Sequence, residues 1–345
     1  MSRVRHTLST LIMSATLAVP TLAHNLPRPR NWAELTRMMT FDPQRDADVV
    51  AKTKTIMLGG PLLPQLRKRA ECKRVQRIRR TLTNAGVSKE TQDKIFAEHE
   101  KILAQRRAQH AGNGRRVKAR HDRSIPYWLR TYICEQLRAA GFDPDQVEIC
   151  NQKKKGARAA SLTYVVDGLV HTYISLDVQD LAACPRNHQE ATIDHEIGHL
   201  AHHDSILWPL IRQQCGNTLA KRVTVQKSIN HAMEYGADQH AATMSPAHAV
   251  KRRNATAAWY NSYGAADFFH AEDEHPSPFS RFAKLNKMVH RLVAAEMLEH
   301  DGNLLPSCKP APKKTNRMLV VIPTALAIAY VAWRIANVVH EPITA

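Results

Sequence analysis

The chain has 345 residues, a formal charge of +18 and 43% hydrophobic residues. That apolar content excludes a largely disordered chain, and the length admits one large domain or two modest ones. No Cys-x-x-Cys pair occurs among Cys72, Cys134, Cys150, Cys184, Cys215 and Cys308. This argues against a cysteine-type structural zinc site and leaves disulfides and free thiols both open.

Residues 1–23 place Arg3 and Arg5 ahead of an apolar run from Leu8 to Val19, with small residues Thr21 and Ala23 at cleavage positions. This is the layout of a secretory signal peptide. A mitochondrial presequence, favoured by the lack of any acidic residue before Glu34, and an uncleaved N-terminal anchor are the alternatives. Residues 24–65 contain Pro27, Pro29, Pro43, Pro61 and Pro64 with Gly59-Gly60, and read as a connector with one short helix over Trp32 to Met39. Residues 66–120 carry 17 Lys and Arg against 5 Asp and Glu, a net +12. Ile78, Leu82, Ile95, Ile102 and Leu103 recur at helical spacing there, which predicts a basic arm of two helices broken at Asn84-Ala-Gly, the second started by Ser88 and Thr91. Its charge points either to anionic lipid or nucleic acid, or to a solvated face without a partner.

A compact domain is expected over residues 125–305. Pro126 to Ala140 reads as a helix closed by Gly141. Ser161–Val166 and Leu169–Leu176 are rich in β-branched and aromatic residues, and the intervening Asp167-Gly168 suits a type I′ turn, so they predict a β-hairpin. Gln189 to His203, Asn217 to Thr243 and Phe279 to His300 read as helices. The fold class is therefore α+β, mainly helical. Residues 306–317 form a linker. Met318 to Val339, interrupted only by Arg334, is long enough for a transmembrane helix. Lys309, Lys313, Lys314 and Arg317 before that span favour a domain held in the cytoplasm, whereas the leader favours export. Export is the preferred reading, since long domains translocate largely regardless of charge.

The chemistry sits in DHEIGHL, residues 194–200. On a helix, His195 and His199 at i and i+4 share a face and can converge on one cation. Glu196, one residue on, can address a water at that cation without becoming a ligand. Zinc suits such a site, which accepts imidazole and carboxylate and leaves a fourth position open. A third histidine at metzincin spacing is absent, because His202 and Ser205 stand where glycine and histidine are required. A glutamate on a second helix is the usual alternative, and HAMEYGADQHAA offers Glu234. Asp238, one turn later, is placed to accept a proton from a ligand imidazole, and Ala237 would let the two helices approach closely. His231 and His240 compete as ligands and otherwise read as surface histidines.

With HEIGH, then Glu234-Tyr-Gly-Ala237-Asp238, then His275-Pro276 and Arg281 in HPSPFSRFAKL, the stretch from Ser161 to Met288 resembles the M48 family of metallopeptidases. That family includes the HtpX-type membrane proteases, the CAAX prenyl proteases, a mitochondrial inner-membrane branch and the BepA-type periplasmic enzymes. The resemblance implies a zincin-like domain in which a small hairpin or sheet packs on the HExxH helix. It implies one Zn2+ held by His195, His199 and Glu234, with Glu196 as general base and Asp238 behind the ligands. It places His275 and Arg281 beside the cleft, steadying a tetrahedral intermediate; on the residues alone, those two would serve a helix start and a salt bridge. Gly236 inside the second helix departs from the motif and costs about 1 kcal/mol relative to alanine.

The implied activity is that of a zinc metalloendopeptidase acting on extended peptides near a membrane, with Leu169 to Asp177 as the edge strand that pairs with substrate. The expected partners are protein substrate and membrane lipid, without nucleic acid. The expected location is membrane-anchored with an exported or periplasmic domain, the mitochondrial inner membrane or a cytoplasmic orientation being the alternatives. Competing readings are a membrane-tethered scaffold with a non-catalytic zinc site, and a nucleic-acid or anionic-lipid binder led by the basic arm. The absence of aromatics among the arm's basic residues weakens single-strand nucleic-acid binding.

Overall fold

The computed structural model describes residues 27–112, 115–152, 158–220, 222–272 and 274–300. The leader at 1–23, the linker at 306–317 and the apolar span at 318–339 lie outside the described residues. Among the described residues, no helix is long and apolar enough to cross a membrane.

The N-terminal part is helical and packed. Helix α1, Trp32–Met39, matches the expected segment and is capped by Asn31, whose side chain accepts from Glu34 N at 2.9 Å. Helix α2, Ala47–Met57, follows unannounced by the sequence pattern. The prolines bound these helices and do not break them: Pro43 precedes α2, and Pro61 stands at the start of α3, Leu62–Asn84. Helix α4, Lys89–His110, is capped by Ser88, which accepts from Thr91 N at 3.2 Å.

The two long helices stand where the sequence placed them, but not as an arm ahead of a domain starting at 125. Ile78 and Leu82 of α3 and Ile95 and Ile102 of α4 share one buried cluster with Ile206, Leu207 and Ile229. The connector is likewise part of the core, since its Ile56, with Leu62 and Leu63 against it, packs with Ala242, Leu285, Val289 and Leu292. A single apolar stripe suffices to bury a helix whose remaining surface is cationic.

Helix α5, Tyr127–Ala139, and a 3-10 turn over Pro144–Gln146 lead into the sheet of β1 Val147–Asn151, β2 Ala159–Val166 and β3 Leu169–Leu176. The β2–β3 hairpin is as predicted. Asp167 and Gly168 both take positive φ, 49° and 70°, which a type I′ turn demands. The sheet order is β1-β3-β2, with β1 parallel to β3. This corrects the expected edge: β3 is the central strand, buried between two neighbours, and β2 is an edge. Five residues of β1 carried too short a pattern to reveal that β3 had a second partner.

The remaining elements are α6 Val178–Ala182, α7 Arg186–His202, α8 Asp204–Cys215, α9 Asn217–Ala220, α10 Val223–Ala242, α11 Pro246–Phe269 and α12 Pro278–His300. The predicted helix over 217–243 is thus two elements, and α8 and α11 add helices the pattern did not suggest. Helix α11 is broken internally at Gly264, φ 77°. Ile193, Ile197 and Leu200 bury the inner face of α7 against Leu129 and Ile133 of α5 and against Ile174 and Leu176 of β3. On its other side α7 meets α10. A Cβ added at Gly198 would lie 2.6 Å from Ala237 O and 2.7 Å from Ala237 Cα, so the two helices cross at backbone contact.

Candidate metal centre

That crossing brings the predicted residues together. His195 Nε2 and His199 Nε2 are 3.2 Å apart, and Glu234 reaches across from α10, with Oε2 3.2 Å from His195 Nε2 and Oε1 3.2 Å from His199 Nε2. One donor atom from each of the three residues lies within 4.8 Å of the others.

Carboxylates hold both imidazoles from behind. His195 Nδ1 is 3.0 Å from Asp238 Oδ1, and His199 Nδ1 is 2.8 Å from Asp204 Oδ2. Arg281 Nη2 is 3.4 Å from His195 Nδ1, but a guanidinium cannot accept and Asp238 is nearer, so Nδ1 carries the proton. In neutral imidazoles both Nε2 atoms then present lone pairs. Two imidazole acceptors and a carboxylate thus converge, an arrangement that is repulsive without a cation. The 3.2 Å separations match the roughly 3.3 Å between ligand atoms around a tetrahedral ion with bonds near 2.0–2.1 Å. The residues therefore fit a divalent metal of the imidazole-binding kind.

Charge in the site is arranged around these contacts. Arg281 is 3% exposed; its Nε is 2.7 Å from Asp238 Oδ2, its Nη2 2.8 Å from Asp238 Oδ1, and its Nη1 3.2 Å from Glu234 Oε2. Arg252 Nε adds a donor 2.8 Å from Asp238 Oδ1. Burial opposes ionisation of Glu234 and Asp238, but His195 and Arg281 outweigh it at Glu234, and Arg281 and Arg252 outweigh it at Asp238, so both sit well below the usual carboxylate range. Burial likewise disfavours a charged His199, yet Asp204 and Glu234 push its pKa well above the ordinary imidazole value.

Asp204 is a residue of the candidate site that the sequence pattern did not mark. The chain leaves α7 through His203 in the left-handed region, φ 48°, ψ 45°, and that reversal starts α8 with Asp204 turned back towards His199. The spacing 199 to 204 belongs to no single helix, so no periodicity marks it. Asp204 is held in turn by Arg74 of α3, Nη1 to Oδ1 at 2.8 Å, and both side chains are buried. Arg74 reaches it beside Gly236, where a Cβ would collide with the arginine's own side chain. The glycine that departs from the motif is thus the gap through which α3 supports the site.

Glu196 is half-buried on the adjoining face of α7 and accepts a hydrogen bond from Ser161 Oγ of β2 at 2.8 Å. His275 lies at the rim, half-exposed, with Nδ1 3.2 Å from Glu234 Oε2. Arg281, expected beside the cleft, lies instead behind Glu234 with its nitrogens committed to carboxylates, the salt-bridge duty its sequence context suggested. His231 faces the carbonyl of Glu272 at 2.9 Å, and His240 packs edge-on against His202, so neither joins the cluster.

No protein-family model, curated protein or solved structure matches this chain.

Proposed function

We propose that this protein is a zinc-dependent metalloendopeptidase of the M48 kind, with a zincin-like domain that hydrolyses peptide bonds in extended polypeptides. The observation that carries the reading is the convergence of His195, His199 and Glu234 within 4.8 Å, with Glu196 beside them and outside the ligand set. Zinc bound there would polarise a scissile carbonyl and acidify a water at its open position. Glu196 takes a proton from the attacking water and passes it to the leaving amine. Ser161 Oγ, donating to one carboxylate oxygen of Glu196 at 2.8 Å, orients the base and leaves the other oxygen for the proton. Asp238 and Asp204 hold the imidazoles in the tautomer a metal needs. His275, the ion-forming group at the rim, steadies developing negative charge on the carbonyl oxygen. Arg281 acts through Glu234 and Asp238 and does not touch substrate.

The substrate lies along the outer edge of β2 and pairs with it by main-chain hydrogen bonds. The leader-like residues 1–23 and the apolar residues 318–339 of the sequence support an activity at a membrane, with export of the domain as the preferred orientation. A tethered scaffold with an idle site is the weaker reading, since an idle site gives Ser161 no reason to hold the Glu196 carboxylate.

The test is proteolysis of a generic unfolded substrate by the purified protein, with and without chelator, beside Glu196→Gln. The variant is expected to keep its zinc by elemental analysis and to lose hydrolysis by about 10²-fold or more, in line with the usual weight of general acid–base catalysis. Hydrolysis undiminished in Glu196→Gln removes that residue as the base.

A further inference from the structure

The edge of β2 is open over only part of its length. In its antiparallel pairing with β3, Asp177 N donates to Arg158 O at 2.8 Å, across positions in register with the ladder. Hydrogen-bonded and non-bonded pairs alternate along such a ladder. Residues 160, 162 and 164 therefore bond to β3, while Ala159, Ser161, Thr163 and Val165 turn their N–H and C=O groups outward. Thr163 agrees with this parity but is not free. Its N–H donates to Ser205 Oγ at 2.8 Å, and the same hydroxyl donates to Thr163 O at 3.0 Å.

Ser205 lies in the first turn of α8 and occupies both groups that a paired strand would use. Its side chain is one atom long beyond Cβ, so the helix itself stands in the lane that a neighbouring strand, about 4.8 Å away, would follow. The other end is different. Ser161 directs its side chain onto Glu196, so its outward backbone groups lie beside the general base. From Ser161 to Thr163 is two residues, roughly 7 Å of strand.

We infer that α8, through Ser205, closes the substrate-binding edge of β2 just beyond Ser161, so that a peptide pairs only with Ala159 and Ser161 and is cut about two residues from one of its ends. This rests on the metallopeptidase reading of the site and departs from it in one respect: cleavage is confined to bonds near a polypeptide terminus and does not reach interior bonds. Ser205 is a specificity-determining residue by position: it touches neither metal nor base, and it limits how far a substrate continues past the scissile bond on one side.

The full-length, zinc-loaded protein is incubated with long unstructured peptides and the products are mapped by mass spectrometry. The expected products are fragments of about two residues released from one terminus. Peptides extended residue by residue at that terminus, with the scissile bond held fixed, should lose at least about tenfold in kcat/KM once more than about two residues stand beyond that bond, because further residues meet α8 and gain no hydrogen bonds. Extension at the other terminus should bring no such loss. Cut sites spread through peptide interiors, with long fragments on both sides, overturn the proposal and leave the peptidase reading intact. Absence of hydrolysis, or hydrolysis that survives chelation and Glu196→Gln, overturns the peptidase reading and the proposal together.

Discussion

Asp238 and Asp204 perform the same task for the two imidazoles, yet only one of them is visible in the sequence. Asp238 stands four residues after Glu234 on one helix face, and helical periodicity alone ties it to the site. Asp204 arrives through the left-handed His203, whose backbone conformation is costly for a side chain of that size and is offset by the packing around it. Because Asp204 fixes His199 and lies between it and Arg74, Asp204→Asn is expected to weaken zinc binding by roughly 10–100-fold. Competition with a chromophoric chelator measures this without reference to catalysis. Unchanged affinity would mean that the contact at His199 Nδ1 has no part in holding the metal.

At the scale of elements, the crossing of α7 and α10 decides whether the ligands meet. Gly198 and Ala237 touch backbone to backbone, so Gly198→Ala must push the helices apart. Overpacking of this kind costs about 1–3 kcal/mol, and the displacement carries Glu234 away from the histidines. The expected outcome is a lower melting temperature together with zinc content below one per chain; a variant with full occupancy and an unchanged melt would show that the crossing tolerates a methyl group. Gly236, the residue before Ala237, has a comparable role towards α3, where the gap admits Arg74. The motif HEIGH announced a helix with a buried face, but nothing in it said that its own glycine was the contact point.

Over the whole molecule, buried histidines set the response to acid. Burial pushes His203 down to about 2 and His240 down to about 3, against 6.5 for the exposed group. Both stay neutral in the folded protein while the unfolded chain takes up protons below pH 6.5, so stability is lost as pH falls through that range. At pH 5 each should cost about 2 kcal/mol relative to pH 7. His199, raised by Asp204 and Glu234, acts in the opposite sense: its contribution is complete below pH 6.5 and declines above it, which offsets little of the loss. The metal-free protein should therefore melt at clearly lower temperature at pH 5 than at pH 7 when followed by circular dichroism. Equal melting temperatures would mean that these imidazoles gain protons without unfolding.

The helix periods, the Asp-Gly turn and the i, i+4 spacing of His195 and His199 are local properties, set by 3.6- and 2-residue repeats and by the backbone freedom of a two-residue turn. The amino-acid sequence alone determined these; that Glu234 meets the two histidines waited on the crossing of α7 and α10. What it left undetermined involves contacts between segments far apart in the chain. These are the place of β3 at the centre of the sheet, the incorporation of the basic helices into the core, Arg74 behind Asp204, Arg281 behind Glu234, and Ser205 across the edge of β2. No repeat encodes such pairings. They follow from which apolar faces find each other when the chain collapses, and only the folded chain makes that choice.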